Sequence, residues 1–295
     1  MLHLIVNPVA GHGRGLDRLD HVVRTLEAAG AAVAVHHTSR PRHAIELVTA
    51  LPEGSVPVAV GGDGTAHEVA IACLRRTLVM GVLPTGSGDD FAFGLGIDRH
   101  DLDAAVRILL AGQARRVDVG LVDGAMFVNA FGSGFDADVA RRIEHAPAAY
   151  RGLGRYLYGI VTAMRDFRVR EVEVEVDGAL AYAGPSLLVS VQNGPRAGGS
   201  FLFSPTARVD DGQLDVLVAG AFGRLGTFGI LPRVMRGTHL TSPRIHFVRG
   251  RRVAVRWSEP MTGHVDGEVF EAPVARYDVS LQAGALSVLA PPRAT

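Results

Sequence analysis

The chain contains no lysine; every one of its 30 Lys/Arg side chains is an arginine. A Walker-type phosphate loop needs its lysine, a protein kinase needs the lysine of its third strand, and Schiff-base chemistry needs an amine. All three are excluded. The single cysteine, Cys73, rules out an internal disulfide framework and agrees with a reducing cytosol. On the helix expected there it reads as a small buried hydrophobe rather than a nucleophile. No apolar run is long enough to span a membrane. Met1 leads straight into Leu2–Val6, which leaves no room for a signal peptide, so the expectation is a cytoplasmic protein. Acidic and basic residues balance at 30 each, so no global field draws the chain to nucleic acid. The 12 histidines show no H-x-x-x-H spacing and offer no zinc site.

What is present fits about two domains: 295 residues, 47% of them hydrophobic, are enough to bury substantial cores. The most informative stretch runs from the apolar Val56–Val60 into Gly61, Gly62, Asp63, Gly64 and Thr65. Glycines at a strand-to-helix turn let backbone N–H groups approach a ligand, and a helix N-terminus favours phosphate. Asp63 needs a bridging cation or a role in proton handling to sit beside phosphates. The same residues also read as local structure, because Thr65 and Glu68 fit a capping box that serves only its own helix.

Periodicity predicts strands at 2–6, 32–36, 56–60 and 78–83, and helices near 16–29, 44–49 and 65–74. That alternation implies βαβ units and a parallel sheet. Ligands on such sheets sit off the carboxyl ends of strands. Three loops there carry glycine and polar residues: 7–15, 61–65 and 84–90. Ser87 in the last of these reads either as a ligand contact or as the N-cap of a short helix over 89–93.

Beyond residue 120 the texture changes. A hairpin is expected from 117–122 and 125–131 around Asp123-Gly124. Glu171, Glu173 and Glu175 alternate with valines and read as a solvated strand face. Further strands are expected at 187–191, 214–218, 253–256 and 285–289, with helical patterns limited to 155–167 and 225–235. This half should be mainly antiparallel β. His36 and His37 read as a strand end, His239 as structural. Arg249-Gly250-Arg251-Arg252 reads as a solvated hairpin tip, or as a contact with anionic lipid headgroups.

The ordered motifs resemble the diacylglycerol kinase catalytic-domain family, which includes bacterial soluble lipid kinases, sphingosine kinases and ceramide kinases. Asn7-Pro8 with Gly11 is similar to its N-P-x-x-G opening, and Gly61 through Thr65 to its G-G-D-G-T signature. Pro84 through Phe91 resembles P-x-G-[TS]-x-N-D-F. Asp118-Val119-Gly120, Asn129 with Gly134 through Ala137, Gly198-Gly199, Pro205-Thr206-Ala207, Asp211-Gly212-x-Leu214-Asp215 and Asp266-Gly267-Glu268 follow in order. The glycine signature is shared with NAD kinases; the ordered set is more specific.

The resemblance implies a Rossmann-like α/β nucleotide-binding domain over 1–122. A β-sandwich-like lipid-substrate domain would follow over 123–295, its tail packing back on the first, with the active site in the cleft between. It implies ATP- and Mg²⁺-dependent phosphorylation of a lipid hydroxyl such as that of diacylglycerol or a sphingoid base. The alternatives are an NAD-kinase-like non-lipid acceptor, or a catalytically silent nucleotide- or lipid-binding protein. Asn7, Thr38, Gly61, Gly62, Asp63, Gly64, Thr65, Ala66, His67, Gly86, Ser87 and Asp89 would contact ATP. Glu268 would be the general base, with Asp63 the alternative base or the ligand of the ATP-bound Mg²⁺. Asp211 by side chain, with Arg208 and Gln213 by carbonyl, would hold a structural Mg²⁺, where the residues alone suggest a hairpin turn. The family's usual Asn is Asp89 here, and a carboxylate accepts where an amide can donate. A lipid acceptor requires transient peripheral contact with the inner membrane face. Neither nucleic acid nor a transmembrane segment is expected, and a homodimer is left open.

Overall fold

The computed structural model describes residues 1–13, 18–147, 149–150, 153–166 and 168–292. Contacts divide the chain into two compact units, Met1–Asp118 with Gly284–Thr295, and Val119–Ala283.

The first unit contains β1 (Leu2–Val6), α1 (Leu19–Ala28), β2 (Val33–His37), α2 (His43–Thr49), β3 (Val56–Gly61), α3 (Asp63–Arg76), β4 (Val79–Pro84), α4 (Asp90–Leu95) and α5 (Leu102–Ala111). Then β5 (Ala114–Val122) begins, and the chain leaves this unit within it. The strands pair in parallel as β2-β1-β3-β4. Their near-continuous apolar runs (Leu4, Ile5, Val58, Val60, Val82, Leu83) are buried, as a sheet covered on both faces demands. The chain runs from β1 outward to β2 and then returns past β1 to β3, so strand order reverses between β1 and β3, and that is where a doubly wound sheet opens a ligand crevice. The expected start of α1 at 16–17 lies outside the described residues, as do Arg14 and Gly15 of the first loop.

Helix α5 went unread although both its signals are in the sequence. Asp101 accepts the Ala104 N–H at 2.8 Å, and Gly112 closes the helix at φ +63°. The last strand, β15 (Val274–Leu289), ends here, its Ser287 and Val288 pairing in parallel with Val79 and Met80.

The second unit holds β6 (Ala125–Phe127), β7 (Ala130–Gly134), α6 (Phe135–Glu144), α7 (Leu153–Ala163), β8 (Arg170–Val176), β9 (Ala179–Gln192) and β10 (Leu214–Gly220). After these come α8 (Arg224–Met235), β11 (Ile245–Gly250), β12 (Arg252–Met261), β13 (Gly263–Val265), β14 (Glu268–Val269) and the first part of β15. The pairings β5–β6, β7–β9, β7–β13, β8–β9, β8–β12, β9–β10, β10–β11, β12–β15 and β13–β14 are antiparallel. The long β9 divides its partners along its length. Residues 179–186 pair with β8, and 188–192 pair with β7 on one side and β10 on the other. The inward valines of β8, β10 and β12 meet Phe131, Trp257 and Tyr277 in one core. The opposite face of β9 and β10 (Leu188, Leu217, Ala219) packs with Phe135, Ile160 and Val234 of the helices. Glu171 and Glu173 face solvent, as the alternation predicted.

Two expectations are corrected. Helices in this unit are not limited to two: α6 follows Gly134 directly, with Ala137 and Val139 buried, inside the stretch read only as a motif. The predicted strand 125–131 is two strands, because the Asp266 carboxylate takes the N–H groups of Val128, Asn129 and Ala130 at 2.8–2.9 Å. Phe167, the expected end of α7, lies outside the described residues.

Candidate active site

In the first unit the three sequence-predicted loops meet at the carboxyl ends of the strands. Asn7 N donates to Val60 O at 3.0 Å, and its Nδ2 to the Thr65 hydroxyl at 3.3 Å, tying β1 to the first turn of α3. Thr38 N continues the ladder to Val6 O at 2.8 Å, which places Thr38 just beyond β2. Thr85 N donates to Gly61 O at 3.0 Å.

The glycines are explained by what surrounds them. A Cβ on Gly61 would strike the Thr65 side chain, and one on Gly86 would strike the Gly62 Cα. Gly62 itself is extended at φ −97°, so it is chosen for loop-on-loop contact and not for a positive φ. Of Gly61, Gly62, Gly64 and Gly86, it is Gly64 that has open space where a side chain would be. Ala66 and His67 are buried on α3, and the Ala66 N–H donates to Gly62 O at 3.0 Å.

Asp63 lies in the first turn of α3, yet its Oδ1 accepts the N–H groups of Asp90 at 2.6 Å and Phe91 at 3.1 Å. It caps α4, a helix nearly thirty residues downstream. Burial, with the Asp90 and then the Asp89 carboxylates nearby, pushes the Asp63 carboxyl up to about 8, although those two N–H groups favour its charged form. Asp89 stands in the left-handed region at φ +57°, which short polar side chains tolerate, and its Oδ1 accepts the Gly86 N–H at 3.0 Å. The N-cap of α4 is therefore Asp89 and not Ser87. Ser87 is exposed, and its carbonyl is held by Arg99 Nη1 at 2.6 Å.

The Thr65–Glu68 capping box does not form. Glu68 reaches across to α2, accepting the N–H groups of Arg42 at 2.8 Å and Ala44 at 3.0 Å. A cavity of about 280 Å³ beside Thr85 and Gly86 is lined by Arg18, Arg99 and His100. Sequence reading missed the two arginines, although the missing lysine pointed to that residue type.

In the second unit, Asp266 and Gly267 take φ of +48° and +90° at the β13–β14 turn, and Glu268 follows them, exposed. His264 sits between two partners: Nε2 is 3.1 Å from Asp136 Oδ2, and Nδ1 accepts the Gly267 N–H at 3.3 Å. A Cβ on Gly132 would collide with both His264 Nε2 and Asp136 Oδ2, so the glycine makes room for the pair. Nothing in the sequence motif announced it. Asp211 Oδ1 accepts the Gln213 N–H at 3.0 Å in an Asx turn, and Arg251 Nε donates to Gly212 O. The Arg249 side chain pairs with buried Asp215 at 2.7 Å. His239 is fully buried with Nε2 3.0 Å from Phe203 O, a structural role. Cys73 is buried and its thiol is pushed up to about 12 by burial.

A Rossmann-like α/β unit whose glycine loops gather at the switch point, joined to an antiparallel β-sandwich-like unit, is the architecture of the diacylglycerol kinase and NAD kinase folds. Residues 1–122 match the diacylglycerol kinase catalytic domain, and residues 129–290 match the YegS C-terminal NAD kinase beta sandwich-like domain. The chain is 31% identical over 270 residues to the diacylglycerol kinase of Bacillus subtilis, covering 90% of this chain and 88% of that one. To a probable lipid kinase YegS-like of Pseudomonas aeruginosa it is 32% identical over 298 residues, 96% of each. The chain belongs to the diacylglycerol kinase catalytic-domain family, among lipid kinases. The fold is shared with the crystal structure of a diacylglycerol kinase from Bacillus anthracis, at TM-score 0.73 and 21% identity over 99% of this chain and 97% of that one. It is shared more distantly with an NAD kinase from Archaeoglobus fulgidus in complex with ATP, at TM-score 0.51 and 15% identity over 98% and 93%.

Proposed function

We propose that this protein is an ATP- and Mg²⁺-dependent kinase that phosphorylates a lipid hydroxyl, of diacylglycerol or another lipid alcohol, working from the cytoplasm at the inner membrane face. The observation that carries this reading is the Asp63 group: a half-buried carboxyl pushed up to about 8 beside the buried Asp89 and Asp90, at the switch point of a parallel sheet. Like charges gathered in a buried place are a poor structural device and a good setting for a cation.

Among the described residues no three His, Cys, Asp or Glu side chains form a metal-holding cluster. Mg²⁺ does not need one, because it keeps waters and binds through one or two carboxylates plus substrate phosphates. Asp63, with Asp90 and Asp89 beside it, fits that mode; the ion when bound neutralises phosphate charge. The main chain at Gly64 and the α3 N-terminus would receive phosphate, with Asn7 and Thr65 fixing the loop. Arg18 and Arg99 supply positive charge where other kinases use lysine. Thr38 and Ser87 would flank the nucleotide, and Glu268 would take the proton of the attacking hydroxyl. An oxygen-only set at Asp211, Arg208 and Gln213 suits a structural Mg²⁺ in the same way. Asp89 adds little to the case for a silent protein: its bond to Gly86 N is one an Asn oxygen would make equally.

The roles are separable by mutation. Glu268→Gln should lower kcat by a factor on the order of 10²–10⁴ with ATP affinity unchanged. Asp63→Asn should raise the KM for Mg-ATP, since it removes binding that ground and transition states share. A collapsed kcat for Asp63→Asn beside normal turnover for Glu268→Gln would reverse the assignment.

A further inference from the structure

Helix α8 buries Thr227 and Val234 and packs Ile230, Leu231 and Met235 against the helical core of the second unit. Its other side is apolar too. Leu225 is 88% exposed, the highest of any large hydrophobic side chain among the described residues, and Phe228, three residues on and on the same side, is 40% exposed. Gly229 and Pro232 continue this outward face. An exposed leucine is ordinary; an outward Leu–Phe pair on one helix face is the start of a patch that something covers.

The charges around it point to the occupant. From Val216 to Ser258 every Asp/Glu/Lys/Arg side chain is an arginine; there is no carboxylate in the whole stretch. Arg224 is exposed beside Leu225. Arg244 is exposed too, with its guanidinium over the Phe222 ring at 5.8 Å and against the first turn of α8 at Gly226. Apolar side chains pointing outward between arginines match a bilayer interface, where the rings and alkyl groups enter the headgroup–acyl boundary and guanidinium groups meet lipid phosphates. A nucleic acid would use the arginines but leave Leu225 and Phe228 against water.

We infer that the outward face of α8, carrying Leu225 and Phe228 between Arg224 and Arg244, docks the protein on an anionic phospholipid bilayer. This builds on the lipid-acceptor reading, to which it gives a membrane contact. Its test needs no ATP.

Vesicle co-sedimentation is measured with phosphatidylcholine alone and with phosphatidylcholine containing phosphatidylglycerol. The protein should bind the anionic vesicles in preference, less at high salt. The double substitution Leu225→Glu with Phe228→Glu should weaken that binding about tenfold or more at an unchanged melting temperature. Arg224→Gln with Arg244→Gln should abolish the preference for anionic vesicles. Wild-type binding of the Leu225/Phe228 variant overturns the inference, as does failure of the native protein to bind either vesicle. A change of oligomeric state in that variant with vesicle binding intact would assign the face to a second copy of the chain and overturn it too. If docking holds while no lipid is phosphorylated, the kinase reading falls alone. If the Leu225/Phe228 variant binds vesicles normally while lipid in micelles is phosphorylated, the docking inference falls alone.

Discussion

Asp63 accepts a hydrogen bond from the main chain of Asp90 while the Asp90 side chain repels it. The backbone bond holds the two loops together; the carboxylates push them apart. Cap and repulsion fall on one half-buried carboxyl group, a setting that a cation would relax.

Asp63→Asn should therefore stabilise the protein at neutral pH while impairing it as an enzyme. An amide oxygen can still accept the Asp90 and Phe91 N–H groups, but carries no charge. The carboxyl is raised from 3.8 to about 8 in the folded state, so the native protein holds a proton that the unfolded chain has released. Stability from this group is full below about pH 4 and is lost as pH rises through 8. Melting temperatures across pH 4–8 should decline for the native protein and flatten in the variant. Parallel profiles would show that Asp63 is not the group responsible.

Binding of Mg-ATP should release a proton near pH 7. Asp63 is protonated there, and a cation beside it favours the ionised form. Calorimetry in buffers of different ionisation enthalpy should show release at pH 7 that fades above about pH 9, and Asp63→Asn should remove it. Equal heats in all buffers would contradict the cation role.

Glu68→Ala should destabilise the fold by about 1 kcal/mol through the loss of the α2 cap, a melting-temperature drop of a few degrees. Since Glu68 serves α2 and not its own helix, Glu68→Gln should recover part of the loss through its amide oxygen. A neutral Glu68→Ala variant would show that the Arg42 and Ala44 N–H groups find water instead.

His264→Asn should outperform His264→Gln. The asparagine oxygen can occupy the Nδ1 position and keep the Gly267 N–H bond that sets the turn before Glu268, whereas glutamine reaches only toward Asp136. The readout is kcat at saturating ATP, with near-native values expected for Asn and a loss for Gln. The reverse order would mean that the Asp136 contact is the one that matters.

The α/β half was legible because its strands are continuous apolar runs, and Val56–Gly61 could hardly be anything else. The meeting of Asn7, Gly61 and Thr85 followed from parallel topology alone, before any contact was known. Long-range partners were not legible. Glu68 matches a local capping box in sequence but is used by a helix upstream, where the backbone N–H groups of Arg42, at φ +64°, and of Ala44 donate to it. The break in strand 125–131 depends on Asp266, well over a hundred residues away, and the His264–Asp136 pair is equally non-local. The sequence reads Gly62 as room for a ligand; the folded loops show that it also makes room for the close approach of Gly86.

The central claim is a lipid acceptor for an ATP-derived phosphoryl group, and an acceptor screen tests it most directly. Purified protein with Mg-ATP is offered diacylglycerol, a sphingoid base, ceramide and a polyprenol in mixed micelles, and NAD in solution. Product is read by transfer of the labelled γ-phosphate. The account predicts label in a lipid product, dependent on Mg²⁺ and abolished by Glu268→Gln, with none in NADP. Label in NADP alone, or no label in any product, would contradict it.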